Sequence, residues 1–275
     1  MATSGFTAAD GTVLAAERFV GSGPPIVLLH AGVADSRAWT AVAADLAGRG
    51  FDVAAYDRRG FGGTPAAGTP DHVADLGAVI TGLGRGPAWL AGNSQGGRIA
   101  LDLALAEPDL VAGLVLIAPA VSGSPDPGED ELDADTLRID AKIEEAEEAG
   151  DLEAVNRHEA HLWLDGPAAP EGRVGGDARD LFLAMNAVAL AAEWPDGAEP
   201  AEPPTWDRLG EIAAPATVAC GELDLPFFRD RCRILADRLP GAREMVEIPG
   251  VAHLPGLEDP GSLAALIAEA TSAGS

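Results

Sequence analysis

The chain has 275 residues, with 44 acidic side chains against 18 lysines and arginines, and a formal net charge of −26. That charge repels nucleic acid and anionic membrane surfaces, and no apolar run reaches the roughly 20 residues that cross a bilayer. The length and a 47% hydrophobic composition suit one α/β domain with a full core and room for a small inserted module. The start, Met1-Ala2-Thr3-Ser4-Gly5-Phe6, has neither the basic nor the apolar stretch of a signal peptide, so a cytoplasmic location is expected. Cys220 and Cys232 both fall in apolar or helical runs and are expected to be two buried thiols rather than a disulfide. Lys142 is the only lysine, a pattern of high-GC coding, with adaptation to high salt as the competing explanation.

In chain order, residues 6–20, with Asp10-Gly11 between two short runs, predict a β-hairpin. Ile26-Val27-Leu28-Leu29-His30 is continuously apolar up to His30, the pattern of a strand buried on both faces. A helix is expected from Arg37 to Arg49, then a strand over Val53-Ala54-Ala55-Tyr56. After the loop from Asp57 to Pro65 comes a helix from about Asp71, with Thr69 as its cap and Pro70 at its first position.

Next comes Ala88-Trp89-Leu90-Ala91-Gly92-Asn93-Ser94-Gln95-Gly96-Gly97, an apolar strand ending in Gly-x-Ser-x-Gly. Ile99, Leu103 and Ala106 then recur at helical spacing. This is the pattern of a nucleophile elbow, a sharp strained turn whose glycines keep side chains out of the crowded corner. The helix N-terminus beside Ser94 would favour negative charge developing there. Leu114-Val115-Leu116-Ile117-Ala118 is the sixth strand.

From about Val121 to Pro204 no strand pattern occurs. Helices are expected around Ile139, Ile143 and Ala146, around Leu152, Val155 and Leu162 with Asp151 as cap, and from Asp177 to Trp194. The expected organisation is a doubly wound, mostly parallel α/β sheet made of residues 1–120 and 205–275, with residues 121–204 as a helical lid after the sixth strand. The sheet resumes with Ala216-Thr217-Val218-Ala219-Cys220 and Met245-Val246-Glu247-Ile248, and a helix from Pro260 to Ala270 ends the chain.

Three chemically able residues stand at carboxyl ends of strands, where open α/β sheets collect their sites. They are Ser94, Asp224 in Gly221-Glu222-Leu223-Asp224, and His253 in Gly250-Val251-Ala252-His253. Glu222 and Asp126 are the alternatives to Asp224 as the acid. With these motifs, and with His30-Ala31-Gly32 and Asp57-Arg58-Arg59-Gly60-Phe61-Gly62, the whole chain resembles the α/β-hydrolase fold family. The resemblance implies a catalytic triad of Ser94, Asp224 and His253. It also implies an oxyanion hole from the backbone N–H groups of Gly32 and Gln95, with Val33 as the alternative to Gly32 because Ala31 replaces the family's usual glycine. His30 would brace that loop, and Asp57 with Arg59 would hold its neighbour by a charged hydrogen bond.

A serine at the elbow argues against the dehalogenases and epoxide hydrolases of this fold. The implied activity is hydrolysis of a small ester or lactone, close to carboxylesterases and enol-lactone hydrolases. The runners-up are C–C bond hydrolysis of ring-fission diketones and a low-turnover regulatory binder. Cofactors are expected to be none. His158-Glu159-Ala160-His161 has its histidines three apart where the zinc-protease pattern needs four, and is expected to be a solvated helix face. Trp163, Phe182 and Met185 could line a pocket or pack lid on core. The expected partner is a small-molecule substrate, with no nucleic acid and no membrane, and the oligomeric state is open.

Overall fold

The structure is a computed structural model describing residues 2–128, 132–198 and 200–273. Strands β1 (Ala2–Thr7), β2 (Val13–Phe19), β3 (Pro25–Leu29), β4 (Asp52–Tyr56), β5 (Ala88–Asn93), β6 (Val111–Ile117), β7 (Ala216–Gly221) and β8 (Val246–Ile248) make one sheet. Their order is β1-β2-β4-β3-β5-β6-β7-β8. β1 and β2 pair antiparallel with their neighbours, and every pairing from β4 to β8 is parallel.

Adjacent residues of a strand point to opposite faces, so a strand covered on both sides must be apolar throughout. β5 follows this rule: Leu90 packs with Leu76, Ile99, Leu116 and Leu235 on one face, while Trp89 and Ala91 pack with Leu46, Val115 and Ile267 on the other. The first face is covered by α2 (His72–Leu83), α3 (Gln95–Ala106) and α8 (Pro226–Arg238). The second is covered by α1 (Thr40–Gly48) and α10 (Pro260–Ala273). Burying a leucine such as Leu90 contributes about 1.5–3 kcal/mol, and truncating one to alanine in so dense a core costs about 2–5 kcal/mol.

Between β6 and β7 the chain leaves the sheet for α4 (Ala134–Glu148), α5 (Leu152–Glu159), a π-helical turn (Ala160–Asp165) and α6 (Gly176–Leu190), returning through α7 (Thr205–Arg208). Parts of the acidic loops that open and close this segment, residues 129–131 and 199, lie outside the described residues. Asp133 and Asp151 cap α4 and α5 by accepting the free N–H groups of their first turns.

Three local expectations shift. The cap of α2 is Asp71 rather than Thr69, because its Oδ1 accepts the N–H of Ala74 at 2.9 Å. The second helix of the insertion is not one α-helix. It widens to π geometry at Ala160, with Trp163 against the rings of Phe228 and His253, while Asp165 gathers the N–H groups of Gly172 and Val174. α6 stops at Leu190, short of Trp194, whose ring lies so close over Gly60 that a Cβ there would meet it at 2.6 Å. A short helix α9 (Pro255–Glu258) precedes α10.

Candidate active site

β5 runs into Ser94, which has φ 52° and ψ −116°, a conformation L-residues rarely adopt. The strain is held from all sides. Ser94 N–H donates to the carbonyl of Ile117 at 2.9 Å, and its own carbonyl accepts from Arg98 and Ala120, each at 3.1 Å. The flanking glycines are required by space: a Cβ on Gly92 would lie 2.5 Å from the carbonyl oxygen of Gly96, and one on Gly96 would lie 2.3 Å from that of Leu29. α3 begins at Gln95, so its free N–H groups stand next to the serine.

On the β7 side, the turn after Gly221 carries Asp224, and the loop after β8 carries His253. Both are buried. His253 Nδ1 lies 2.9 Å from Oδ2 and 3.1 Å from Oδ1 of Asp224, and Asp224 Oδ1 also accepts the N–H of Leu225 at 2.8 Å. Asn93 ties this loop to the elbow, because its Nδ2 donates to the carbonyls of both Ile117 and His253 at 3.1 Å. The rings of Trp163 and Phe228 stand 4.8 and 4.7 Å from the His253 ring, centroid to centroid. Glu222 is exposed and accepts the N–H of Gly250 at 2.8 Å, and Asp126 is exposed on its loop. Asp224 is therefore the carboxylate brought to His253. Cys220 and Cys232 are free and buried, and the neighbouring Cys232 together with burial holds the Cys220 thiol far above its ordinary range.

On the β3 side stand His30, Ala31 and Gly32. The backbone N–H of Arg58 donates to His30 Nε2 at 3.1 Å, so the ring proton is on Nδ1, which donates to the Ala31 carbonyl at 2.8 Å. Burial, reinforced by the charge of Arg58, pushes His30 well below its usual pKa and keeps this neutral tautomer. A Cβ on Gly32 would meet the Gln95 side chain at 2.8 Å, so Gly32 and Gln95 touch. Asp57 and Arg59 each brace loops but not through one another. Asp57 takes the N–H groups of Ser36 and Gly63 at 2.8 and 2.7 Å, while Arg59 reaches Asp75 at 2.8 and 2.9 Å and Asp10 at 2.6 and 3.1 Å. Asp57 is taken up by backbone N–H groups of the segments after β3 and β4, which leaves the guanidinium of Arg59 to bridge the hairpin and α2.

Within the insertion His161 is buried, with Nε2 2.9 Å from the Ala169 carbonyl, and His158 is half-buried, so the expected solvated face is a packed one. The reason is the π turn, which rolls His161 inward. Phe182, Met185, Ala160 and Leu164 pack on Ala31, Ala34, Ala38 and Leu254, so Phe182 and Met185 join the insertion to the site loops. Arg58, the Asn93 latch and the Phe228 wall are the parts that sequence reasoning missed. Only Asn93, directly before the serine, carried a signal that could have flagged it.

The chain shares 32% identity with a pimeloyl-[acyl-carrier protein] methyl ester esterase of Chromobacterium violaceum, over 86% of this chain and 89% of that protein. It shares 35% identity with lipase LipV of Mycobacterium tuberculosis, where the match spans about half of each, 54% of this chain and 55% of that protein. Among solved structures it resembles esterase RhEst1 of Rhodococcus sp. ECU1013, with TM-score 0.77, 25% identity and full coverage of both chains. Residues 24–260 match the family described as alpha/beta hydrolase fold. With the mostly parallel sheet and the strained serine at the end of its central strand, that match shows that the chain belongs to the alpha/beta hydrolase fold family of enzymes.

Proposed function

We propose that this enzyme is a serine hydrolase that cleaves an ester or lactone of a small, partly apolar molecule through an acyl-enzyme. Ser94 Oγ attacks the carbonyl carbon, and His253 Nε2 takes its proton. The C–O bond then breaks, the leaving oxygen receives that proton, and a water activated by the same imidazole releases the acid. Asp224 holds the ring by its Nδ1–H and balances the positive charge that forms. The N–H groups of Gly32 and Gln95 receive the negative oxygen. The observation that carries this reading is the buried Asp224–His253 pair at 2.9 Å, tied to the elbow by Asn93, the residue before the strained serine.

The insertion, residues 121–204, acts in this proposal as a lid. Trp163 beside His253, and Phe182 and Met185 on the Ala31 loop, give it apolar contacts next to the chemistry. The esterase relative of Chromobacterium violaceum supports ester cleavage as the reaction class. The test is turnover of a chromogenic butyrate ester, with a serine-directed fluorophosphonate identifying the nucleophile. Wild type should hydrolyse the ester and label at Ser94, and Ser94→Ala should retain its fold while losing about 10⁶-fold in kcat. Full turnover in a folded Ser94→Ala variant would refute the reading.

A further inference from the structure

Arg58 is among the largest fully buried side chains of the protein, yet among the described residues no carboxylate pairs with it. Its Nε has no hydrogen-bond partner, and a guanidinium in such a place is costly to bury. Four contacts surround its side chain, one of them the long approach of Nη2 to His30 Nδ1 at 3.4 Å. Nη2 donates to the Ala31 carbonyl at 3.1 Å, Nη1 donates to Gln95 Oε1 at 2.9 Å, and the Phe61 ring lies 4.3 Å from the guanidinium carbon.

These contacts fall on the two residues proposed to donate to the oxyanion. The peptide joining Ala31 to Gly32 is trans, so its C=O and N–H point in opposite directions. Fixing the carbonyl on Arg58, His30 and the Ala34 N–H therefore fixes where the Gly32 N–H points. The other arm of the guanidinium holds the Gln95 side chain, which lies against Gly32.

We propose that Arg58 is a positioning residue for the oxyanion hole, setting the Gly32 N–H through the Ala31 carbonyl and Gln95 through its amide. Its charge, uncompensated by any carboxylate among the described residues, adds an attractive field where negative charge develops. Arg59, the next residue, is by contrast paired with Asp75 and Asp10. Burial first, and the Arg58 charge second, lower the pKa of both His30 and His72.

The proposal rests on the serine hydrolase reading, and the test separates the two. Wild-type turnover of the butyrate ester and fluorophosphonate labelling at Ser94 establish that reading by themselves, and their absence would remove it. Arg58→Met is then expected to lower kcat about 100-fold while KM changes less than about threefold, since a misplaced donor acts in the transition state more than on the bound ester. Inhibition by a trifluoromethyl ketone, whose adduct carries an oxyanion, should weaken in parallel. Arg58→Lys, which restores the charge but not both donors, should recover part of the loss. If Arg58→Met does not fold, Gln95→Met is read instead. It keeps the backbone N–H and is expected to lower kcat about tenfold at unchanged KM. A folded Arg58→Met variant with kcat within about threefold of wild type, or a loss borne entirely by KM, would overturn the proposal, as would a fully active Gln95→Met where that variant is the one read.

Discussion

His30 and His253 are equally buried, each 1% exposed, one directly after β3 and the other in the loop after β8. Their surroundings are opposite. His30 Nδ1 faces the Ala31 carbonyl, its Nε2 accepts the Arg58 N–H, and the nearby guanidinium opposes any added proton. His253 Nδ1 faces a carboxylate, and Nε2 is the nitrogen that the proposed mechanism uses as its base. Burial and residue type are the same in both, so under the proposed mechanism the partner on Nδ1 and the sign of the neighbouring charge set which histidine acts as base and which braces. Arg58 follows β4 and Asp224 follows β7, strands on opposite sides of β5, so the guanidinium and the carboxylate flank the elbow from opposite sides. A reaction that places an oxyanion near the first and an imidazolium near the second separates charge along that existing field.

Removing each ring in turn separates the two histidines. His253→Ala should lower ester turnover by about 10⁶, the scale of losing the base of a triad. His30→Asn should lower it by no more than about 10², through the orientation of one donor. Steady-state kinetics on both folded variants decides, and equal losses would mean that the two histidines do not differ in kind.

Next in size is the carboxylate. Asp224→Asn preserves shape and hydrogen bonding on one oxygen but removes the charge that distinguishes the His253 side, and should cost about 10⁴ in kcat. Asp126→Asn, on an exposed loop, should behave as wild type. A crippled Asp126→Asn beside a healthy Asp224→Asn would move the acid to the other loop.

The elements that carry this comparison differ in how well the sequence exposes them. β5 and the turn after it were legible because apolar continuity, glycine spacing and helical recurrence all change within a few residues of Ser94. Asp224 and His253 were legible as strand-end residues, since short strands and their punctuation locate the ends. Arg58 was invisible. A basic residue in a loop ordinarily faces solvent, and its burial follows from contacts with Gln95 and Phe61 that depend on how three separate strands and a helix meet. The π turn escaped for a related reason, because Leu152, Val155 and Leu162 are equally compatible with an unbroken helix. Only the packing of Trp163 against His253 and Phe228 gives the wider turn its purpose. The Asp57–Arg59 pairing failed because adjacency in sequence says nothing about which way neighbouring side chains leave the backbone.

A smaller effect reads the cationic side through stability. Burial, with Arg58, Arg98 and Arg59 adding to it, pushes His72 down to about 3. The folded protein therefore holds His72 neutral while the unfolded chain protonates it near its ordinary value. This contribution is complete above about pH 6.5 and is lost as pH falls from there toward about 3. Between pH 6.5 and 5 it should remove about 2 kcal/mol, and His72→Leu should abolish that part of the slope. The buried carboxylates Asp57, Asp102, Glu159 and Glu258, all raised by burial, act in the opposite sense. Denaturant unfolding of variant and wild type at both pH values isolates the histidine. Identical slopes would show that His72 is not held neutral.

The smallest expected effect concerns the charge of the substrate. C–C hydrolysis of a ring-fission diketone must convert a dienolate to a ketone while a cation holds the substrate carboxylate, and the insertion is where such a cation would stand. Its arginines are already engaged: Arg138 with Asp135, Arg157 with Glu153, Arg173 with Glu258, and Arg179 with the buried Asp165 at 2.8 Å. Lys142 is exposed on α4. Arg58 is buried and committed to Ala31 and Gln95, so drawing it to a substrate carboxylate would dismantle the donors that the same reaction needs. A dianionic ligand would also enter against the net negative charge of the chain. Neutral short-chain esters or lactones should therefore exceed diketone acids by at least about tenfold in kcat/KM, roughly 1.4 kcal/mol of transition-state stabilisation. The measurement is a side-by-side comparison of both substrate classes on wild type, Arg173→Gln and Arg179→Gln. A preference for the diketone acid that disappears in one arginine variant would show that a cation of the insertion faces the substrate after all, and would turn the reaction from ester to carbon–carbon cleavage.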